Sequence, residues 1–446
     1  MIRVTEEIRN EHMSGSKEGD SSLEHKKQLI PQLARKVVDL GSGEVVARLF
    51  AVATIILLGH RYGVIALGAY ALAQTLSQYL QPVIDFGLRH IGARLVALYP
   101  TATANIIRKV EWRRLHMALA ALPLLFMYCF ASSMPQEASR FVFVFAAMSA
   151  TYALSLEWAA WGKDQLRFVG FLRTIVPGAI FAVLVLKRPP LEQLYLCILA
   201  ANALGCTVQV GVSFLWWRTH RRIETNDEII IGKINEALSW QRSSLMGLAW
   251  LCNVAFNSID LLMLGLLAPA FQVGLYSAGY RVINQVLATY YLATQALFPR
   301  FARYRDRERI QATQFHVLFK LFFVGALLCF VIAAGRRFIV ALFFGSAFAH
   351  ASALLLVLSL AIPMDFITSY LSNAYIAWGL ERTVLFCTSS AAVTNVLLNW
   401  VFIPRFGAIA AAINTLLSYG VFLALLASVR RRATVSHLQA ACSPIS

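Results

Sequence analysis

The chain has 446 residues, of which 58% are hydrophobic and only 14% are charged, and its mean hydropathy is +0.62. A soluble globular protein carries about 25% charged residues, so this composition excludes an ordinary soluble domain and indicates a membrane protein. The formal net charge is nevertheless +17, which in a soluble chain would suggest a nucleic-acid partner. The positions of the Lys and Arg residues decide between these two interpretations.

The first segment, residues 1–43, is polar and mixed in charge. It contains no apolar stretch of the kind found in a cleavable signal peptide, so we expect it to remain in the cytoplasm.

After this segment the sequence predicts twelve apolar spans, each about long enough to cross the hydrocarbon core as a helix. Their approximate positions are 44–58, 64–85, 115–132, 141–161, 168–186, 192–217, 244–267, 273–298, 316–334, 350–378, 384–403 and 407–428.

The Lys and Arg residues are distributed unequally between alternate loops. With the N-terminus inside, about 29 of the 40 fall in cytoplasmic segments and about 7 in outside loops. Cytoplasmic loops carry this excess in membrane proteins, so both termini are predicted to be cytoplasmic. Most of the positive charge is therefore explained by topology, and no nucleic-acid partner is expected.

The spans divide into two blocks of six. A cytoplasmic linker, residues 218–243, separates an N-terminal bundle (44–217) from a C-terminal bundle (244–428), and a cytoplasmic tail follows (429–446). The segment Tyr62 to Tyr70 is echoed by Val273 to Tyr280. Six spans per block return the chain to the same side, so the blocks would be parallel repeats. The predicted fold is an all-α, multi-pass membrane protein of two parallel six-helix bundles.

Polar residues recur at helical spacing within four of the spans. Such stripes avoid lipid, and they face either neighbouring helices, as structural hydrogen bonds, or a polar cavity. Their members are Gln74, Gln78, Gln81 and Asp85 in the second span, Asn253, Asn257 and Asp260 in the seventh, Asp365, Ser369, Ser372 and Asn373 in the tenth, and Thr388, Asn395 and Asn399 in the eleventh.

Three cations, Arg48, Arg281 and Lys320, lie inside apolar spans. A charge at that depth costs at least about 2.5 kcal/mol unless it is paired or hydrated. Each could bind an anion in a cavity, or be neutralised internally, as by an Arg281–Asp260 pair. Lys320 could also snorkel to the cytoplasmic surface.

The intramembrane carboxylates of Asp260 and Asp365 are candidates for coupling transport to H⁺ or Na⁺; neutralising the buried cations is the alternative. No Cys or His spacing indicates a metal site, and neither a cofactor nor a catalytic site is expected. The predicted loops leave no room for an extramembrane catalytic domain, so the chain is not predicted to be an enzyme.

Several passages carry a resemblance to a known family. They are RYGVIALGAY (61–70) running on to DFGL (85–88), EWAAWG (157–162), NSID (257–260) followed by VGLYSAGYR (273–281), LFPR (297–300) and IPRFGAIAAA (403–412). In their order and spacing the chain resembles the polysaccharide repeat-unit (O-antigen/exopolysaccharide, Wzx-type) flippases. These belong to the multidrug/oligosaccharidyl-lipid/polysaccharide (MOP) exporter superfamily.

This resemblance implies an alternating-access transporter in the bacterial inner membrane. It would move undecaprenyl-diphosphate-linked oligosaccharide from the cytoplasmic to the periplasmic leaflet, with a polysaccharide polymerase and chain-length machinery as candidate partners. Arg48, Arg281 and Lys320 would then bind the diphosphate. The sugar would contact Gln74, Gln78, Asn253, Asn257, Asn395 and Asn399.

Two other functions compete with this one. A cation-coupled small-molecule or multidrug antiporter of the same superfamily would be expected to have an anionic cavity, whereas the intramembrane charges here lean cationic or balanced. A membrane-embedded polysaccharide polymerase or glycosyltransferase would need a large periplasmic loop or an acidic cytoplasmic motif, and the sequence predicts neither.

Overall fold

The structure, a computed structural model, describes residues 19–220, 228–302 and 315–442, which are helical almost throughout. The α-helices are α1 (Gly19–Asp85), α2 (Leu88–Leu98), α3 (Thr103–Ala131), α4 (Gln136–Ser149), α5 (Glu157–Gly162), α6 (Leu166–Lys187), α7 (Leu191–His220), α8 (Glu228–Ala237), α9 (Trp240–Leu267), α10 (Ala270–Ala302), α11 (Phe315–Phe344), α12 (Ala351–Ser359), α13 (Ile362–Ala377), α14 (Glu381–Phe406) and α15 (Ala408–Cys442).

In the described ranges, nine helical segments are long and apolar enough to cross a membrane, or ten if the bent pair α12 and α13 forms one span. A multi-pass helical membrane protein is thus confirmed, whereas the number twelve stays a prediction. The first two predicted spans lie in one helical segment, Val45–Asp85, which counts once. The predicted eighth span lies in α10, which is 33 residues long but carries Arg281 and several amides in its apolar stretch.

Helix α1 contains a break that separates the first two predicted spans. At Gly63 the backbone adopts φ 79° and ψ −170°, a conformation that glycine reaches without steric cost. The helix before this break begins at Gly19 and therefore includes most of the predicted cytoplasmic segment. Residues 1–18 of that segment lie outside the described residues.

Two predicted spans are interrupted helices. In the fourth, α4 gives way to a 3₁₀ turn, Ala150–Leu154, and an extended Ser155 before α5 begins. In the tenth, α12 and α13 are bent by 44°. Pro363 lies in the first turn of α13, where its missing N–H does not disturb the helix. Such breaks free backbone carbonyls to accept hydrogen bonds from side chains.

The predicted linker, residues 218–243, contains a helix of its own. Helix α7 extends to His220 and α9 begins at Trp240, with α8 between them; residues 221–227 are outside the described ranges. Ile234 and Leu238 are fully buried in an apolar cluster with residues of α2 and α3. Lys109 Nζ donates to Asn235 Oδ1 at 2.6 Å. The linker is therefore packed against the N-terminal half.

The two segments that echo each other in sequence meet in the structure. A Cβ added to Gly68 would lie 2.8 Å from the backbone nitrogen of Gly274, and one added to Gly274 would lie 2.1 Å from the carbonyl oxygen of Val64. Close by, Ser133 N–H donates to the Gly265 carbonyl at 2.9 Å. The two halves are thus in backbone contact at the end predicted to face outside.

The substitution Gly274→Leu is expected to prevent the halves from closing at this end, because the obstructing atoms are backbone rather than a flexible side chain. In a variant without native cysteines, a cysteine at Ser133 should then react faster with a membrane-impermeant maleimide added from outside. Gly211→Leu is the matched control, since no atom lies within 4 Å of an added Cβ there. Equal labelling rates in both variants would contradict this prediction.

Candidate functional site

A polar cavity of about 170 Å³ lies where α1, α9 and α10 meet. We call it the Arg281 cavity. Its walls are Gln74, Thr75 and Gln78 from α1, Asn253, Val254, Asn257, Ser258 and Leu261 from α9, and Ser277, Tyr280, Arg281 and Asn284 from α10. The site therefore joins the N-terminal half, through α1, to the C-terminal half.

Arg281 is held in this cavity by neutral groups. Its Nη2 donates to Gln74 Oε1 at 2.6 Å, and its guanidinium carbon lies 6.0 Å from the centre of the Tyr70 ring. No carboxylate in the described part of the chain forms an ion pair with it. Because a desolvated cation without a counter-ion is costly, this arrangement favours an anionic ligand.

A second cavity, of about 290 Å³, continues from the first into the C-terminal half. We call it the Asp365 cavity. It shares Asn253, Asn257 and Asn284 with the Arg281 cavity. The rest of its wall comes from Phe256, Leu287, Ala288, Tyr291, Asp365, Ser369, Ser372, Asn373, Ile376, Val384, Thr388 and Phe422.

The predicted sugar-contacting residues divide into two groups. Gln74, Gln78, Asn253 and Asn257 line the Arg281 cavity. Asn395 and Asn399 do not line either cavity, because both are fully buried among α9, α14 and α15. They share a helix face with Thr388, which lines the Asp365 cavity, but they lie two to three turns farther along α14.

Asp260 lies at the centre of that buried region, and its partners are all neutral. Oδ1 accepts from Asn399 Nδ2 at 2.6 Å, and Oδ2 accepts from Thr415 at 2.9 Å and Tyr276 at 3.1 Å. Asn399 Nδ2 also lies 2.6 Å from Asn395 Oδ1. The alternative Arg281–Asp260 pair is not formed. The carboxylate accepts instead from one amide and two hydroxyl groups, all of them neutral.

Two of the three predicted diphosphate-binding cations lie elsewhere. Lys320 is an exposed side chain of α11 and does not line either cavity. Arg48 is half-buried on α1, between Gly43, which contacts Gly170 of α6, and Phe50, whose ring lies 5.6 Å from that of Phe181. Of these three residues, Arg281 lines a cavity and the other two do not.

A cluster of buried charges in the N-terminal half was not predicted from the sequence. Arg114 and Asp85 form an ion pair of 2.7 Å in which both side chains are fully buried. Arg114 also pairs with Glu111 at 2.7 Å and donates to the Tyr152 and Ser155 carbonyls at the break after α4.

The same cluster extends to α6. Glu157 Oε1 accepts from Arg89 at 2.7 Å and from Arg173 at 2.6 Å. Three cations and three carboxylates of neighbouring elements thus neutralise each other, which makes this a structural network rather than a binding site.

Several solved structures of membrane transporters have a similar arrangement of helices. A lipid II flippase, MurJ, in an inward closed conformation matches with a TM-score of 0.68 at 14% identity, over 88% of this chain and 87% of that one. A multidrug resistance MATE transporter in an inward-facing conformation matches with a TM-score of 0.64 at 14% identity, over 90% and 98%.

A MOP-superfamily transporter from Pyrococcus furiosus also matches, with a TM-score of 0.52 at 14% identity, over 90% of this chain and 96% of that one. No family model and no curated protein matches the sequence. At these identities the likeness establishes the fold.

Proposed function

We propose that this protein translocates lipid-diphosphate-linked oligosaccharides across the bacterial inner membrane by alternating access. The observation that carries the proposal is Arg281, a cation without an ionic partner among the described residues, in a cavity otherwise walled by neutral hydrogen-bonding groups. A diphosphate supplies the missing negative charge, and Arg is the side chain best suited to phosphate oxygens.

The surroundings of Arg281 suit the rest of such a cargo. Amides of Gln74, Gln78, Asn253 and Asn257 offer both donors and acceptors to sugar hydroxyls. The polyprenyl chain can remain in lipid while the polar head occupies the cleft. Arg48 and Lys320 remain predictions as diphosphate ligands: from their positions outside the cavity walls, they would have to act in another conformation or at the point of cargo entry.

Deletion of the gene tests this proposal. We expect surface polysaccharide to be lost and undecaprenyl-linked repeat units to accumulate in the cytoplasmic leaflet. Supplying the gene in trans should restore the polymer. Intact polymer, together with new sensitivity to cationic dyes, would contradict the proposal.

Export of small cationic molecules is the second candidate function. The likeness to a MATE transporter and the carboxylate of Asp365 in the cavity wall favour it. Arg281 opposes it, because a cationic substrate in the connected cleft would be repelled by an uncompensated guanidinium.

Coupling of transport to an ion is proposed for Asp260. Its carboxylate is buried and has neutral partners, so binding of H⁺ or Na⁺ would neutralise a charge that is costly to bury. No cation in the described part of the chain forms an ion pair with it. Asp365 was predicted for the same role, but its place in a cavity wall exposes it to cargo.

The substitution Asp260→Asn is expected to remove the dependence of transport on an ion gradient, because the amide retains the shape but cannot bind Na⁺ or H⁺ as a carboxylate does. The initial transport rate in vesicles would be measured with and without imposed Na⁺ and pH gradients. A variant whose rate responds to the gradients as strongly as the wild type would rule out Asp260 as the coupling site.

A further inference from the structure

Most side chains that line the Asp365 cavity are of the kinds that bind carbohydrates. Its polar groups, apart from Asp365, are amides and hydroxyls, and its apolar groups include the aromatic rings of Phe256, Tyr291 and Phe422. Tyr291 is 48% exposed, so its ring is available to a ligand. Aromatic faces and hydrogen-bonding side chains together suit a sugar, which has both apolar C–H and hydroxyl groups.

Asp365 is the one charged residue among the described residues that line this cavity. It lies in the first turn of α13, and its carboxylate oxygens are each 3.3 Å from Ser369 Oγ. No described Lys, Arg or His forms an ion pair with it. Asp365 therefore contributes to the cavity wall a carboxylate whose negative charge no described cation compensates.

The two cavities thus have opposite charge and a common wall. Arg281 supplies a positive charge to the first, Asp365 a negative charge to the second, and Asn253, Asn257 and Asn284 line both. A cargo whose diphosphate lies at Arg281 would extend its sugars along these shared amides toward Asp365. The sugar portion would therefore meet an anionic group.

We propose that Asp365 determines the charge of the sugars that this protein accepts: neutral sugars and sugars with a free amino group are bound, whereas sugars with a carboxylate are rejected. This inference rests on the transport of diphosphate-linked sugars proposed above. Asp365 accepts hydrogen bonds from hydroxyl or ammonium groups of the sugar, and it repels a uronic acid. Selectivity of this kind comes from an unfavourable contact with the wrong cargo.

The expected discrimination is large, because like charges near 4 Å repel by about 4 kcal/mol even at an effective dielectric constant of 20. Water in the cleft and movement of the sugar reduce this effect. We therefore expect a carboxylated sugar to bind about 10-fold to 100-fold more weakly than its neutral counterpart.

Binding of three synthetic probes to the purified full-length protein tests the inference. The probes are undecaprenyl diphosphates linked to N-acetylglucosamine, glucosamine or glucuronic acid. Wild-type protein should bind the first two at least about tenfold more tightly than the third. In Asp365→Asn the glucuronic acid probe should gain affinity and the glucosamine probe should lose it. Glu381→Gln, which removes an exposed carboxylate that lines neither cavity, should keep the wild-type order.

The outcomes separate this inference from the proposed function. Equal affinities of the wild type for all three probes would overturn the inference and leave the diphosphate proposal intact; this comparison needs no variant to fold. An unchanged order in folded Asp365→Asn would also overturn it. If none of the probes binds better than undecaprenyl phosphate without a sugar, the proposed function itself fails.

Discussion

Replacing Arg281 with Met is expected to abolish binding and transport of the diphosphate-linked cargo without destabilising the protein. Hydrogen bonds to a charged group contribute about 1.5–3 kcal/mol each. Loss of the guanidinium should therefore weaken binding by about a hundredfold or more. Stability should be unchanged or raised, because the substitution removes a buried cation that has no ionic partner among the described residues. Cargo affinity and melting temperature would be measured on the same purified sample.

Two further variants show whether the loss of cargo affinity in Arg281→Met is specific to the guanidinium of Arg281. Arg382→Met, which removes an exposed cation outside both cavities, is the control and should keep cargo affinity within about twofold. Arg281→Lys should bind with intermediate affinity, because Lys retains the charge but not the planar fork that matches phosphate. A lowered melting temperature together with normal cargo affinity in Arg281→Met would show that Arg281 is a structural charge.

Replacing Arg114 with Met, unlike replacing Arg281, is expected to lower the stability of the protein strongly. This side chain is fully buried and neutralises Asp85 and Glu111, and it also donates to two carbonyls at the break after α4. Removing one partner of a buried ion pair typically costs about 3–5 kcal/mol, because the remaining charge is left uncompensated. The melting temperature in detergent and the yield of folded protein would report this loss.

The double variant Asp85→Asn/Arg114→Met distinguishes the ion pair from simple packing. It should be more stable than Arg114→Met alone, since Asp85 no longer carries an unpaired charge. Arg108→Met, an exposed cation on the same helix, is the control and should melt close to the wild type. If Arg114→Met melts at the wild-type temperature, the charge cluster does not stabilise the N-terminal half.

Helical periodicity allowed much of the cavity wall to be predicted from the sequence. Gln74 and Gln78, like Asn253 and Asn257, are four residues apart, so each pair lies on one face of its helix, and polar faces avoid lipid. The structure brings both pairs together with Arg281 in one cavity. Their roles in sugar binding stay predictions.

Helical periodicity shows which residues share a face of a helix. It does not show which part of that face a neighbouring helix covers. Asn399 continues the stripe that begins at Thr388, yet it is fully buried against Asp260. Lys320 lies in an apolar span, but it is on an exposed face of α11. These differences depend on how helices distant in sequence pack, and a pattern within one span does not contain that information.

The buried charges of the N-terminal half were missed for a related reason. Arg114 lies in a basic stretch before the third predicted span, where Lys and Arg are expected for topology alone. Its structural role depends on Asp85 and on the break at Ser155, 29 and 41 residues away in sequence. The helix breaks at residues 150–156, inside an apolar span. A break of this kind could have indicated that a buried donor such as Arg114 contacts the carbonyls there.

Transport in proteoliposomes most directly tests the central claim that this protein moves lipid-diphosphate-linked sugars. Undecaprenyl-diphosphate-linked N-acetylglucosamine would be incorporated into one leaflet, and its appearance in the other would be followed with an impermeant lectin. We expect wild-type protein to move the lipid far faster than protein-free vesicles and Arg281→Met to move it no faster than they do. Wild-type vesicles that transport a cationic dye but leave the lipid in its original leaflet would contradict the claim.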